Sequence, residues 1–185
     1  LLAVQELTAN RRLIKEASKL SRITYWVEDT YDTDRGNFVF EPAGTNIVEG
    51  DNFILNTFGF IGYLEGYQNL PYSLDLKHPS KLYGSSGLQK ISKSDSIDTF
   101  SAPNYFDLAD GPIMYCEPDT TTFNLGGTEI MVSVYSPNKV SKADVVSGYI
   151  RETLEAQAKY LDGQLPVDRY VFLIHHFDGL FSGSL

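Results

Sequence analysis

The chain has 185 residues, of which 24 are acidic and 15 basic, and its formal net charge of -9 argues against partners that present phosphates. Nucleic acid and anionic membrane surfaces are therefore disfavoured, and no apolar run approaches the roughly 20 residues of a membrane span. The single cysteine, Cys116, excludes an intrachain disulfide. A hydrophobic fraction of 42% is enough to form the core of one large or two small domains.

The first part of the chain is rich in short segments with the two-residue period of β-strands. Residues 1–20 are an exception, because their helix-favouring side chains alone predict a helix. Residues 29–36 contain many Asp, Thr and Gly residues and predict a loop. Alternating apolar and polar side chains predict strands at residues 23–27, 38–40, 53–55 and 72–76, and an aromatic-rich segment predicts another at residues 60–64.

The middle of the chain is more polar. Residues 77–101 are rich in Ser, Lys and Asp, including Ser85 and Ser86, and predict a solvated segment with two short strands at residues 88–91 and 97–100. Ser101 can cap a helical turn that extends to Leu108, and a turn follows at residues 109–113. Short strands at roughly ten-residue spacing indicate a β-sandwich rather than a parallel sheet.

The last part of the chain predicts a hairpin, a helix and a strand. Residues 121–125 and 129–135 predict strands joined by Gly126 and Gly127, which tolerate positive φ. A capping-box-like start at Ser141 and an end at Gly163 bound a helical pattern. Its apolar stripe consists of Val146, Ile150, Leu154, Ala158 and Leu161. The apolar run at residues 170–174 predicts a buried strand that leads to a Gly- and Ser-rich edge strand.

Three stretches carry a more specific signal. Asp168, Tyr170, Phe172 and His175 have the spacing Asp-x-Tyr-x-Phe-x-x-His. The other two stretches are Asn56-Thr-Phe-Gly-Phe-Ile-Gly-Tyr-Leu-Glu-Gly66 and Leu76-Lys-His-Pro79. Together they resemble the glycyl aminopeptidase family, zinc metallopeptidases of metallopeptidase family sixty-one. In that family a β-sandwich precedes a thermolysin-like catalytic domain and usually a PDZ domain.

The resemblance implies a mainly β fold with some α. An antiparallel β-sandwich N-terminal domain is expected over residues 1–108, and the initial α+β part of a thermolysin-like domain over residues 109–185. Ala109-Asp-Gly-Pro-Ile113 resembles the family's entry into the catalytic domain, with Gly111 in place of serine. The resemblance also implies short strands, rather than a helix, within residues 1–20.

The same resemblance predicts a substrate site. Gly183, Ser184 and Leu185 match the start of the family's Gly-Gly-Leu-Glu-His motif, which lies along the peptide cleft, although Ser184 replaces its second glycine. The zinc-binding His-Glu-x-x-His helix is expected beyond Leu185. We therefore expect no catalytic residue, cofactor site or metal ligand in this chain, no peptide hydrolysis by it alone, and zinc in the full-length parent.

The histidines, the cysteine and a group of acidic residues do not have the spacing of a metal site or a catalytic site. His175 and His176 are adjacent on a predicted strand, so they point to opposite faces and do not easily chelate one ion. His78, alone before a proline, is expected to be an ordinary structural or surface histidine. Cys116, without neighbours that stabilise a thiolate, is expected to be a small packed side chain. The acidic residues Asp107, Asp110, Glu117 and Asp119 do not reproduce a calcium loop.

The sequence leaves two other interpretations open. The 12 Tyr and 11 Phe residues could serve a non-catalytic β-sandwich module that binds peptide or glycan. The departures at Gly111 and Ser184 also fit a degenerate relative used only for assembly. A catalytic domain cut before its zinc site should expose apolar surface and self-associate, whereas a complete binding module should not.

Overall fold

The computed structural model describes residues 2–31 and 44–176. The strands in these residues are β1 (Val4–Thr8), β2 (Arg11–Ile14), β3 (Thr45–Val48), β4 (Asn52–Leu55), β5 (Tyr72–Lys77), β6 (Tyr83–Ser86), β7 (Gln89–Lys93), β8 (Ile97–Ala102), β9 (Ile113–Cys116), β10 (Thr120–Leu125), β11 (Thr128–Tyr135) and β12 (Arg169–His175). The α-helices are α1 (Tyr105–Ala109) and α2 (Ala143–Tyr160). The fold is mainly β with some α, which confirms the predicted class.

Two antiparallel sheets form the sandwich, with strand orders β3-β4-β9-β6 and β5-β8-β7. Strand β5 shows why they pack face to face, because its apolar residues point inward and its polar residues point to solvent, as the alternating sequence predicts. Phe100 from one sheet and Ile113 and Tyr115 from the other are buried in the shared core. Gly84 allows Tyr115 to pack closely, since a Cβ there would lie 2.5 Å from its ring.

A third sheet has the order β10-β11-β12. Strands β10 and β11 form the predicted hairpin, in which Gly126 and Gly127 have φ values of 54° and 82°. Strand β12 pairs in parallel with β11 after the crossover through α2. One face of this sheet buries Ile130, Val132 and Val134 in a core that also contains residues of α2, as the helical stripe predicts. The other face contacts the sandwich.

Contact between that face and the sandwich is partly polar and partly apolar. Ser85 of β6 donates a hydrogen bond to the Ser133 hydroxyl of β11 at 2.8 Å. Met114 and Cys116 of β9 are buried in a cluster that Leu173 of β12 adjoins. Strand β9 follows the boundary predicted at residue 108, yet it pairs with β4 and β6 of the sandwich. The boundary itself stays a prediction.

The structure confirms one of the less certain strand predictions and corrects several others. The hairpin β1–β2 confirms short strands in residues 1–20. Residues 23–27 and 60–64 form no strand in the described chain, because an alternating pattern supplies two faces but not a pairing neighbour. The predicted strand at residues 38–40 lies outside the described residues. Ser85 and Ser86, predicted to be solvated, are buried in β6, where their hydroxyls form hydrogen bonds.

Both helices start differently from the prediction. Helix α1 is capped by Asn104, whose side-chain oxygen accepts a hydrogen bond from the Asp107 N–H at 2.9 Å, whereas Ser101 lies in β8. The N-cap residue of α2, Lys142, makes no side-chain cap, and the Ala143 N–H donates instead to the Asp119 Oδ1 atom at 3.2 Å, whereas the Ser141 hydroxyl contacts His176. Gly163 follows α2 with φ 91°, as predicted for a left-handed ending. In the part of the chain that is described, neither helix combines the length and apolar character needed to cross a membrane.

Candidate functional site

The predicted substrate-binding residues Gly183, Ser184 and Leu185 lie outside the described residues, so their role stays a prediction. The strand that leads toward them is β12. Its sequence predicts a buried strand, but most of its residues are only half-buried, because β12 is at the edge of its sheet in the described chain. Its final residue, His175, brings together side chains from three strands and a turn.

We call Asp51, Asn52, Tyr135 and His175 the junction cluster. The Nε2 atom of His175 lies 3.0 Å from the Asn52 Oδ1 atom, and its ring stacks on Tyr135 with centroids 4.7 Å apart and planes 15° apart. Tyr135 donates its hydroxyl hydrogen to the Asp51 Oδ2 atom at 2.5 Å. Asn52 donates from Nδ2 to the same oxygen at 3.0 Å, which closes a ring of contacts.

Burial and hydrogen bonding fix the charges in the junction cluster. Burial lowers the pKa of His175 to about 4, against a smaller opposing effect of the Asp51 charge. Hydrogen bonds from Tyr135 and then Asn52 lower the pKa of Asp51. Burial, followed by the bond to Asp51, raises the pKa of Tyr135 to about 12. At neutral pH the cluster therefore holds a neutral imidazole, a neutral phenol and one carboxylate.

The junction cluster links the sandwich to the third sheet. Asp51 lies in the turn after β3 and Asn52 begins β4, whereas Tyr135 and His175 end β11 and β12. Sequence reasoning found His175 through its motif but missed the other three residues. No local signal could find them, because the contacts span 84 positions from Asp51 to Tyr135 and 123 from Asn52 to His175.

The described residues do not fit a zinc site. His175 contacts Asn52, whereas the Nδ1 atom of His176 lies 3.1 Å from the Ser141 hydroxyl, so the two imidazoles have different partners. No group of three or more His, Cys, Asp or Glu side chains in residues 2–31 and 44–176 could hold a metal ion. Cys116 is buried, and burial raises the pKa of its thiol to about 11, which confirms a packed side chain.

A second polar cluster lies inside the sandwich. Asp98 is buried, and its Oδ2 atom lies 2.9 Å from the Lys90 Nζ atom, 2.9 Å from the Tyr115 hydroxyl and 3.6 Å from the His78 Nε2 atom. The His78 ring packs on Tyr115 with centroids 4.8 Å apart and its side chain is buried, so of the two predicted roles His78 has the structural one. This cluster crosslinks strands of both sheets.

A groove with a volume of about 1030 Å³ lies on the surface of the sandwich and is lined by aromatic side chains. We call it the aromatic groove. Among the described residues, Trp26 is 95% exposed there, and Tyr25, Tyr63 and Tyr67 are more than half exposed. The Tyr25 hydroxyl donates to the Phe60 carbonyl at 2.6 Å, which holds the two walls of the groove together.

The fold and the junction cluster define a β-sandwich module that is continuous with a mixed sheet and helix. The chain belongs to the family of the Peptidase M61 N-terminal domain, whose family model matches residues 1–117. This match confirms the predicted relationship for the N-terminal portion of such a peptidase.

Among solved structures, the chain is similar to an aminopeptidase N family protein from Idiomarina loihiensis, with a TM-score of 0.62 and 18% sequence identity. The similarity covers 71% of this chain and 22% of that protein, so the chain spans about a fifth of its length. At this identity the comparison supports the fold. No curated protein matches the chain.

Proposed function

We propose that this chain is the N-terminal portion of a zinc metallo-aminopeptidase that removes N-terminal residues, glycine among them, from peptides. The family match over residues 1–117 carries the proposal. The motif from Asp168 to His175 supports it further, because it follows the matched region and all but its first residue lies in the predicted strand β12. Zinc and the groups that activate water would belong to polypeptide beyond Leu185, in a thermolysin-like domain followed by a PDZ domain.

An apolar groove between α2 and β12 supports the proposal that further polypeptide completes the domain that contains the third sheet and α2. The groove has a volume of about 850 Å³. Within the described chain, Tyr160 is 88% exposed at its rim, and Val167 and Tyr170 are each about half exposed. Contiguous apolar surface of this kind normally packs against another element. We expect helices of the catalytic domain to cover it in the longer protein.

In this proposal the chain itself contributes binding rather than bond cleavage. Strand β12 leads toward Gly183, Ser184 and Leu185, whose backbone would pair with an extended peptide substrate like an added strand. Main-chain hydrogen bonds of this type recognise a peptide independently of most of its side chains. The substrate side-chain preference would therefore be set elsewhere in the longer protein.

A comparison of two polypeptides tests the proposed function. The chain of residues 1–185 is expected to release no chromophore from glycyl p-nitroanilide with zinc present, because the proposed zinc-binding helix would belong to polypeptide beyond Leu185. A longer polypeptide that includes the expected His-Glu-x-x-His helix should hydrolyse this compound. Treatment with a zinc chelator should abolish the activity, and added zinc should restore it. Zinc-dependent hydrolysis by residues 1–185 alone, or an inactive longer polypeptide, contradicts the proposal.

The aromatic groove favours a second candidate function, a non-catalytic module that binds peptide or glycan. Exposed aromatic faces stack on apolar faces of ligands while their polar edges accept or donate hydrogen bonds. Trp26 is the only tryptophan of the chain, so its fluorescence reports directly on this groove.

Titration of the chain with short peptides and with oligosaccharides is expected, for this second candidate, to change the Trp26 fluorescence saturably. The variant Tyr63→Ala should weaken binding about tenfold, since it removes one stacking face. Tyr149→Ala, on exposed α2 and outside the groove, is the matched control and should bind normally. The absence of a saturable change with either ligand class rejects the binding module.

A further inference from the structure

Strand β10 forms an open edge of the third sheet in the described chain. Its residues, Thr120–Leu125, include no charged residue, no Pro and no Gly, and they pair with β11 without a bulge. An edge of this composition is a template on which another strand can pair. Natural edge strands are usually protected against such pairing by charges, by short length or by a covering segment.

The other edge strands of the described chain have such protection. Strand β7 carries Lys90 and Lys93, and β1, β2 and β5 also contain charged residues. The outer side of β3 is covered, because the Asp29 carboxylate accepts a hydrogen bond from the Ile47 N–H at 2.6 Å. Strand β6 is short, with 4 residues, and β12 begins with Arg169. Among the described strands, β10 is therefore the edge best suited to an interaction.

The backbone groups of β10 alternate between its two sides. The two-residue turn at residues 126–127 makes Leu125 and Thr128 a hydrogen-bonded pair. At the other end of the strand, the Val134 N–H donates to the Asp119 carbonyl at 2.9 Å, which confirms the same alternation. The N–H and C=O groups of every second residue therefore point away from β11, and these residues are exposed. They are Thr120, Thr122 and Asn124.

This outward-facing set of residues is complementary to itself. When two copies of β10 run antiparallel about a two-fold axis at Thr122, Thr122 faces Thr122 of the second copy and Thr120 faces its Asn124. The opposed pairs would form about six backbone hydrogen bonds, two for each pair. Opposed threonines are a favourable cross-strand pair, and along the strand no charge meets a like charge.

The distribution of charge favours a second copy as the partner. Copies with a net charge of -9 repel each other, but β10 is uncharged and Arg151 lies beside it, with its guanidinium carbon 4.0 Å from the centre of the Phe123 ring. Arg151 has no ion pair among the described residues. Glu155 is exposed one helical turn further along the same side of α2. A two-fold axis at Thr122 brings Arg151 of each copy toward Glu155 of the other, so each cation gains a carboxylate.

We propose that β10 is a homodimerisation edge, through which two copies of this chain pair antiparallel about Thr122 and join their third sheets into one continuous sheet. The interaction is strand addition, in which main-chain hydrogen bonds supply the affinity. The inference does not depend on the proposed peptidase activity, because it uses only contacts of β10 and α2. It also differs from self-association through the apolar groove between α2 and β12, because β12 is the opposite edge of the same sheet.

The test measures association of the chain of residues 1–185 by sedimentation equilibrium at neutral pH, from micromolar concentrations to about 1 mM, because an interface of one strand pair is small. The original chain is expected to form dimers. Thr122→Lys places two lysines directly opposite each other at the axis and should raise the dissociation constant about tenfold or more. Thr153→Lys is the matched control, because it makes the same change at an exposed residue of α2 that lines the groove with β12, and it should associate like the original chain.

A second variant, Thr122→Pro, removes the outward-facing N–H itself. An edge strand tolerates proline where the N–H faces away from its neighbour, so the monomer should fold, as circular dichroism can verify for each variant. Association should weaken about as much as in Thr122→Lys. In the original chain, the amides of Thr120, Thr122 and Asn124 should exchange hydrogen more slowly at high than at low protein concentration.

Three results would overturn the inference. A chain that stays monomeric up to about 1 mM has no such edge. Equal dissociation constants for the original chain, Thr122→Lys and Thr122→Pro would mean that association uses another surface. Association that is lost in Thr153→Lys but kept in Thr122→Lys would assign it to the groove between α2 and β12.

Discussion

Replacement of Asp98 by alanine is expected to lower the free energy of unfolding by about 3–5 kcal/mol, the cost of removing one partner from a buried ion pair. Asp98 accepts hydrogen bonds from Lys90 and Tyr115, and its side chain is only 4% exposed. Without the carboxylate, the Lys90 side chain, 20% exposed, loses its anionic partner and keeps only its bond to the Gly84 carbonyl and its contacts with the Tyr83 and Phe100 rings. The buried Tyr115 hydroxyl loses its acceptor as well.

Urea unfolding followed by circular dichroism measures this loss. Asp95→Ala is the matched control, because Asp95 is exposed in the turn that precedes the same strand, and it should stay within about 0.5 kcal/mol of the original chain. Asp98→Asn should fall between the two, since its amide oxygen can still accept from Tyr115. A loss below about 1 kcal/mol for Asp98→Ala is incompatible with the buried network described above.

Acidification is expected to destabilise the chain through His175, by on the order of 3 kcal/mol between pH 6.5 and pH 4. Burial lowers the pKa of the folded state to about 4, whereas an unfolded histidine titrates near 6.5. Within this window the unfolded chain binds a proton that the folded chain does not. The contribution is thus complete above about pH 6.5 and is lost as the pH falls toward 4.

The measurement is the free energy of unfolding at several pH values from 7 to 4. In His175→Gln the new side chain does not titrate. The free energy of unfolding of this variant should therefore vary less with pH in this window, although it should be lower than that of the original chain at neutral pH. His176→Gln controls for loss of a neighbouring imidazole and should keep the steep dependence. Asp51, whose pKa is lowered by hydrogen bonds, adds its own loss only at still lower pH. If the free energy of unfolding changes equally with pH in the original chain and in His175→Gln, then His175 is not the source of the pH dependence.

The local sequence pattern predicted those helices and strands whose packing partners lie close to them in the sequence. The hairpin of β10 and β11 forms as predicted, and α2 follows its apolar stripe because it packs on these strands, which directly precede it in the chain. Residues 23–27 also alternate, yet no described strand pairs with them. Strand β6 was missed for the opposite reason. Its Ser and Gly residues are typical of a turn, and their burial depends on contacts such as Ser85 with Ser133.

The candidate site was predictable only in part, for the same physical reason. The motif that ends at His175 located the end of β12, but a motif along one strand contains no information on what faces it. Asp51 and Asn52 follow an ordinary turn sequence, with Gly50 at φ 70°. Their significance comes from the packing of the sandwich against the third sheet. A single sequence does not contain that arrangement in any local form.

Strand order also constrains how the protein can be assembled during synthesis. Strand β9 lies between β4 and β6, although four strands and a helix separate β4 from it along the chain. A nascent chain that has not yet extended to Ile113 carries β4 and β6 with unpaired edges facing each other. Exposed edges of this kind pair readily with other chains. Completion of the sandwich therefore depends on β9, the last of its strands to be synthesised. Slow translation before residue 113 would prolong the period in which the risk of aggregation is greatest.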